Sequence, residues 1–504
     1  MIFKSVSQLV DIHDKKVFIE LINVYIRLVE VYCERNKVSL NNVTKLNKKL
    51  LVSYWIEIGI IKEEADIVML KKMLGQEKYN RFLICSEFAV ENANNIGDLL
   101  DKLNNSKRKE YQKMNENKYT LVDFFCGAGG LSLGFIQQGF NVKLANDIED
   151  VCIETYLYNH PQLSSKKIIK GDIKEIVDNV ESYLDTDIDV VVGGPPCQGF
   201  SSANQQRIID DPRNKLYKYF IQAVEKIVPK FVVMENVRGM LKVADQVVED
   251  YKNLKTEKDG IEYTYDVSYE LLNAKDFSVA QSRERLIYIA IRNDVIDSLN
   301  ISPDEIFKEI KEDCSDNLIF TLNDALMDIK PLEAQRIKNM NEVDDKKTGK
   351  KIDVNEFGLT NNPYLNLINE GRPIYYIFNH KSRYVNDINY EIYRRLNEGE
   401  DATNEKIADI MPYANRNHIF KDKYYKLIAN KPSRTITAHL RMDCHSHIHP
   451  YQVRSITPRE AARIQSFPDD YLFLGPYLKT YMQIGNAVPP LLARGIAKVI
   501  KKYL

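Results

Sequence analysis

The order of apolar and polar positions divides the chain into stretches of different character. Residues 17–32 carry apolar side chains at the spacing of an amphipathic helix, and residues 67–74 continue in that style. Residues 98–117 are polar, with Asn104, Asn105, Ser106, Lys107, Arg108 and Lys109 in succession, and read as a linker or an exposed helix. No catalytic motif falls within residues 1–118, which are read as a mostly helical N-terminal extension.

Near Tyr119 the period changes. Short apolar runs at 120–125, 141–145, 187–192, 230–234 and 286–291 have the length and β-branched content of buried strands. Helical stretches such as 216–227 separate them. Strands alternating with helices predict a parallel sheet in an α/β layer fold, with ligands at the carboxyl ends of the strands. Residues 293–430 lose this rhythm and read as a separate, less regular domain. From Lys431 the chain is again dense in motifs and ends in a helix predicted over 491–503.

Composition narrows the class. The 504 residues are 44% hydrophobic and 28% charged, as in an ordinary globular protein of two to four domains. Lys+Arg number 70 against 71 Asp+Glu, which excludes a histone-like chain and a wholly acidic disordered one. A mean hydropathy of −0.37 and the lack of an 18-residue apolar run argue against a membrane span. The N-terminus lacks the order of a signal peptide. Seven scattered cysteines do not form a disulfide framework, so a reducing, cytoplasmic setting is expected. Charge is unevenly spread: residues 293–410 hold 15 Lys/Arg and 24 Asp/Glu, residues 411–504 hold 15 and 5. A basic C-terminal block suits a polyanion partner or a solvated lysine-rich surface.

Six motifs carry the candidate chemistry. Asp123 leads into the glycine-rich turn Cys126-Gly127-Ala128-Gly129-Gly130, where backbone N–H groups can approach a ligand. The spacing is not the dinucleotide fingerprint, and no Walker lysine follows. Asp147 stands where an acid binds ribose hydroxyls in a nucleoside-binding half, and Asp172 could hold an adenine amino group. The turn alone could also be a structural strand–helix junction, the less favoured reading. Second, Gly193-Gly194-Pro195-Pro196-Cys197 puts a thiol on a stiff strand-end turn, suited to a nucleophile, although a lone cysteine is more often a core residue. Third, Glu235 in Met234-Glu235-Asn236-Val237 is a positioned acid or a surface charge. Fourth, Arg283 and Arg285 point the same way on an extended segment, towards a carbonyl oxygen, a phosphate or neighbouring acids. The fifth and sixth motifs are 432–437 with 454–468, and 483–490.

With these six in this order, the chain resembles the DNA cytosine-5 methyltransferases over residues 119–292 and 431–504. The resemblance implies a Rossmann-like, S-adenosyl-L-methionine-dependent domain at 119–292, a target-recognition domain inserted at 293–430, and a return to the catalytic domain at 431–504. It implies that Phe125, Gly127, Ala128, Gly129 and Gly130 line the cofactor site. Asp147 would bind ribose, Ile148 would pack on adenine, and Asp172 and Ile173 would contact the base. Pro196, Leu216, Asn486, Ala487 and Val488 would close the pocket. Cys197 would be the nucleophile, Glu235 (protonated or sharing a proton) and Arg285 would bind the target cytosine, and Arg283 would buttress the site.

That chemistry needs these residue types. Cytosine C5 is a poor nucleophile, and a thiolate added at C6 makes it enamine-like. The base must leave the duplex to be reached. Residues 201–215 would close over it, with Ser201, Arg207 and Arg213 near DNA. Double-stranded DNA is the implied partner, beside a cognate restriction endonuclease or in a solitary role, and a monomer is expected. The alternatives are a tRNA cytosine-5 methyltransferase, or a DNA-binding repressor acting through the N-terminal extension. An insert of roughly 138 residues favours DNA, because major-groove reading needs a domain that enters the groove.

Two features depart from the pattern. Ser278-Val279-Ala280 precedes the arginine pair where Gly-Val-Pro is usual, which predicts a looser but active loop. His439, Cys444, His445, His447 and His449 invite a zinc reading, but no CxxC accompanies them and Pro450 breaks a helix, so no metal is expected. Cys126 reads as a packing residue. His380 and Arg383 gain no role from spacing.

Overall fold

The computed structural model describes residues 2–40, 43–114, 119–196, 216–358, 360–412 and 423–504; Cys197, Ser201, Arg207 and Arg213 lie outside them. Its centre is a seven-stranded sheet. The parallel strands are β1 (Tyr119–Phe124), β2 (Phe140–Asp147), β3 (Ile168–Lys170), β4 (Val190–Gly193) and β5 (Phe231–Val237). A small hairpin, β6 (Thr256–Lys258) and β7 (Ile261–Tyr263), precedes β8 (Tyr265–Asn273) and β9 (Glu284–Arg292). The order is β3-β2-β1-β4-β5-β9-β8. The chain therefore leaves β1 towards one edge and resumes at β4 on its other side, which opens a crevice at the carboxyl ends of the two strands.

The sheet is not wholly parallel. β9, which contains the run at 286–291, is antiparallel to both β5 and β8. Only a short link with a single 3-10 turn, Ala274–Phe277, joins β8 to β9. A parallel crossover needs a dozen residues or more, so the pair closes as antiparallel neighbours.

Period-2 alternation sends successive side chains to opposite faces. Leu121, Val190, Val192 and Val233 enter one core with the C-terminal helix Pro490–Ile500. Val122, Val191 and Val232 enter another with Phe220 and Val224 of the helix Leu216–Ile227. The C-terminal helix returns against the helix Gly130–Gln137. Gly134 permits this approach, since a Cβ there would lie 2.5 Å from Ala493 Cβ and 2.6 Å from the Pro490 carbonyl.

The extension folds as helices Ile12–Asn36, Lys48–Ile58, Asp66–Glu91, Ala93–Leu100 and Asn105–Met114. Trp55 stacks on Phe82 at 5.5 Å, and its indole N–H donates to Ser86 at 2.9 Å, so its polar edge is satisfied in the core. That core also takes in Tyr158, Ile352, Phe378, Leu472 and Leu474 from the rest of the chain. Within the stretch that reads as linker or exposed helix, Asn105–Met114 is a helix, exposed over most of its second half and docked by its first: buried Arg108 donates to the Leu157 carbonyl at 2.6 Å.

Residues 293–430 do not share one core. Ile306, Leu322 and Leu365 pack with the central sheet. The antiparallel hairpin β10 (Gly349–Val354) and β11 (Tyr376–Lys381) gives Ile352 and Phe378 to the N-terminal core. Val385, Ile392, Leu396, Ile407 and Tyr424 form a small core of their own.

The basic C-terminal block is in part interior. Arg454 pairs with Glu460 at 2.6 Å and Arg463 with Asp469 at 2.7 Å, all four buried. Buried Arg459 donates to the carbonyls of Phe378 and Pro468 at 2.7 and 2.8 Å. These charges join the segments around the cleft and contribute little to a surface field. Removing one partner of such a pair costs about 3–5 kcal/mol.

Candidate active site

The carboxyl ends of five parallel strands, the start of β9 and the C-terminal block meet at the crevice. At the end of β1 the backbone turns through left-handed residues, Phe125 at φ +55°, Gly127 at +53° and Gly129 at +89°. A side chain at Phe125 in that conformation is strained, as residues at functional sites often are. A Cβ at Gly127 would meet nothing within 4 Å among the described residues, whereas one at Gly130 would lie 2.3 Å from the Val488 carbonyl.

Asp147, at the end of β2, accepts the Gly127 N–H at 2.9 Å and the Glu149 N–H at 2.8 Å. It fixes the glycine turn as well as facing the cleft. Burial holds its carboxyl above the ordinary carboxylate range, against the pull of these two donors. Ile148 beside it is 63% exposed, an aliphatic surface laid open to the crevice. Asn146 donates to the carbonyls of Ile169 at 3.0 Å and Gly171 at 3.1 Å, and so holds the exit of β3, where Asp172 and Ile173 follow.

The other half of the cleft lies at β4, β5 and β9. Glu235 Oε1 is 2.7 Å from Arg285 Nε, both largely buried. Gly194 lets the carboxylate lie against the backbone. Buried Asn236 donates to the Pro195 carbonyl at 3.0 Å, which ties the end of β5 to the Pro195-Pro196 turn.

Arg283 points into the protein. Its guanidinium donates to the carbonyls of Ile436 at 2.5 Å, Gly485 at 3.0 Å and Ala487 at 3.1 Å. Gln281 donates to Gln465 Oε1 at 2.7 Å and accepts the Ile436 N–H at 2.6 Å. Gln465 in turn donates to the Ile484 carbonyl at 2.7 Å. This buried network joins the arginine segment to both C-terminal motifs through the two terminal guanidinium nitrogens of Arg283, while its Nε has no acceptor among the described residues.

The result is one cleft of about 910 Å³. Phe125, Gly127, Gly130, Asp147, Ile148, Asp172, Ile173, Pro196 and Leu216 line it, with Glu235, Arg283, Arg285, Asn486, Ala487 and Val488. Ala128 and Gly129 do not. Ala128 is buried, with its carbonyl accepting from Tyr471 at 2.5 Å, and a Cβ on Gly129 would strike the Tyr156 ring at 2.9 Å. Their smallness lets helix and turn close up behind the cleft.

The sequence model of the C-5 cytosine-specific DNA methylases matches residues 119–502. The chain belongs to this family. It is a DNA cytosine methyltransferase. It is 31% identical over 409 residues to the Type II methyltransferase M.DdeI of Desulfomicrobium norvegicum, which covers 76% of this chain and 88% of the relative. It is 34% identical over 385 residues to M.FnuDI of Fusobacterium nucleatum, with 76% and 94% covered. Among solved structures, a prophage-encoded DNA modification methyltransferase of E. coli superposes with a TM-score of 0.56 at 26% identity, covering 76% of this chain and 99% of that one. Residues 1–118 precede the family match.

Several residues in this methyltransferase gain roles that spacing could not give. His380 bridges Thr457 Oγ1 at 3.0 Å and the Lys330 carbonyl at 2.7 Å. Arg383 donates to the carbonyls of Leu440 at 2.7 Å and Met442 at 2.6 Å, on the rim of the cleft. His445 stacks on Tyr424 at 4.6 Å, and His449 accepts the Tyr451 N–H at 3.1 Å. Among the described residues no three His, Cys, Asp or Glu stand placed to hold a metal ion, and no helix is long and apolar enough to cross a membrane. Asp123 was legible only as the start of a turn. Buried at the cleft floor, it accepts from Ser132, and burial raises its carboxyl to about 7.

At the Ser278-Val279-Ala280 departure, Ser278 adopts φ +60°, where glycine is unstrained. Its hydroxyl donates to the Leu318 carbonyl at 2.9 Å, which offsets the strain. The Ala280 N–H, which a proline would lack, faces Tyr364 Oη at 3.5 Å.

Proposed function

We propose that this methyltransferase acts at C5 of a flipped-out cytosine in a specific duplex sequence, with S-adenosylmethionine as methyl donor, as the modification enzyme of a restriction-modification system or as a solitary enzyme. The observation that carries the reading is the convergence on one cleft of an adenosine-sized half, at Asp147 and Ile148, and a polar half, at Glu235 and Arg285.

The residues present fit the donor. Among the described residues the glycine turn leaves space at Gly127, Ile148 offers an open apolar face, and Asp123 Oδ1 is a buried oxygen without a hydrogen bond at the cleft floor. Asp147 would take the ribose hydroxyls and Asp172 the adenine amino group. When bound, S-adenosylmethionine supplies an electrophilic methyl group.

The chain's own residues do the rest. The Cys197 thiolate adds to C6, and the ring's electrons move towards C5. Glu235 stabilises N3 as density builds there, and Arg285 holds O2. After methylation a base removes the C5 proton, the C5–C6 double bond re-forms, and the cysteine sulfur leaves. Residues 293–430 would read the target sequence.

The test is methyl transfer from labelled S-adenosylmethionine to duplex DNA and to tRNA, with bisulfite sequencing to locate the mark. Label in DNA and a covalent adduct with a 5-fluorocytosine duplex are expected. Label confined to tRNA, or full turnover by a Cys197→Ser variant, overturns the reading.

A further inference from the structure

The N-terminal helix Ile12–Asn36 meets both sides of the groove between the cofactor half of the sheet and the β10–β11 hairpin. One carboxylate joins them. Glu20 Oε1 accepts the Gly475 N–H at 2.8 Å and pairs with the Lys351 ammonium on β10. Gly475 is itself fixed, at φ +91°, where a Cβ would lie 2.7 Å from Val151 Cγ1 on the helix Asp150–Asn159.

Other contacts make the same connection. Arg27 Nε donates to the Ile352 carbonyl at 3.0 Å, and Glu34 holds the guanidinium at 2.7 and 3.1 Å. Arg35 lies 3.6 Å over the Tyr375 ring. Towards the sheet, His13 Nε2 is 2.7 Å from Glu154 Oε1, and Arg108 caps the carboxyl end of the same helix at Leu157. That helix follows Asp147 and Ile148.

We propose that the N-terminal extension is an intramolecular brace for target reading, and that Glu20 is its positioning residue. The inference rests on the reading of residues 293–430 as the recognition segment. The physical route is continuous. Lys351 lies on β10, which is laddered to β11 with Lys350 opposite His380. β11 runs on into Arg383, which holds the rim carbonyls of Leu440 and Met442, and then into the small core at Val385 and Ile392. Glu20 does not line the active cleft. It fixes how far the recognition segment stands from the block that carries Asn486.

The test uses the full chain with Glu20→Gln, Lys351→Met and the double variant. Each is assayed on a duplex carrying the mapped target and on one with a single altered base pair. Each single variant is expected to raise KM for DNA about three- to tenfold and to lower the preference for the target. It should leave kcat and KM for S-adenosylmethionine within about twofold, and the double variant should be no worse than the more affected single. Unchanged DNA KM and preference, additive effects, or a parallel loss of kcat, both KM values and Tm would overturn the brace. A wild-type chain that methylates no DNA defeats the functional reading before any variant is made, so the two failures are distinguishable.

Discussion

Glu235 stands so close to Gly194 that a Cβ on the glycine would lie 2.8 Å from its Oε2. Oε1 of the same carboxylate is 2.7 Å from Arg285 Nε. The polar half of the cleft is thus held from two sides, by a guanidinium and by a backbone stripped of its side chain. A Gly194→Ala variant must displace the carboxylate. Misplacing a catalytic group by about 1 Å costs on the order of 100-fold in rate. Methyl transfer is expected to fall by about that factor while S-adenosylmethionine binding, followed by calorimetry, is retained. An unchanged kcat would show that Glu235 does not act from this position.

Gln465 ties the helix turn at 464–465 to the Ile484 carbonyl and to Gln281. A Gln465→Leu variant removes these bonds and leaves the Gln281 amide only the Ile464 carbonyl at 3.4 Å and the Ile484 carbonyl only the Ala487 N–H at 3.3 Å. Unsatisfied buried polar groups cost about 1–3 kcal/mol each. Because both groups are only partly stranded, a destabilisation of about 1–3 kcal/mol in urea unfolding follows, with weaker cofactor binding because Asn486, Ala487 and Val488 lose their anchor. A change below 1 kcal/mol (about the worth of one ordinary hydrogen bond) would contradict the network.

Ser278 combines a positive φ with a hydroxyl bond to Leu318. Ser278→Gly removes strain and bond together, so its stability should stay within about 0.5 kcal/mol of wild type. Ser278→Ala keeps the strain and loses the bond, at a cost of about 1 kcal/mol. Equal effects of the two substitutions would refute this account.

Buried histidines govern the acid limb. Burial lowers His380 and His445 to about 4 and His160 and His449 to about 3, against an unfolded value of about 6.5. Between those values the unfolded chain binds more protons, so stability is lost as pH falls from about 6.5 towards 4. Asp123 acts the other way. Raised to about 7 by burial, it stabilises below its unfolded value of about 3.9 and loses that contribution as pH rises through 7. Glu154, raised by burial to about 8, and Asp147, also raised by burial, act as Asp123 does. The four histidines outnumber these three carboxyls, so Tm should be lower at pH 5 than at pH 7. His380→Asn should flatten the acid limb, and Asp123→Asn should gain on wild type above pH 7. A Tm that rises on acidification would contradict the assignment.

What the sequence by itself determined was local. Glycine after β1, two prolines after β4 and a charged residue at the end of β5 restrict the backbone within a few residues, so the strand ends and most of the cleft lining could be read from them. The helix Leu216–Ile227 was legible from its 3.6-residue period. β3 has three residues, and β8 is an edge strand with mixed burial, so neither left a clear pattern.

Tertiary structure alone decided which charges face inward. Arg454 and Arg463 meet acids six residues on, a spacing that neither a helix nor a strand makes adjacent, and so they looked like part of a basic surface. It also decided that the extension is built into the molecule. A period shows that a helix has an apolar face but not what covers it, and here the cover comes in part from Ile352, Phe378 and Leu472, more than 240 residues away in the chain. Burial is a property of partners, and distant partners leave no mark on the spacing of a single segment.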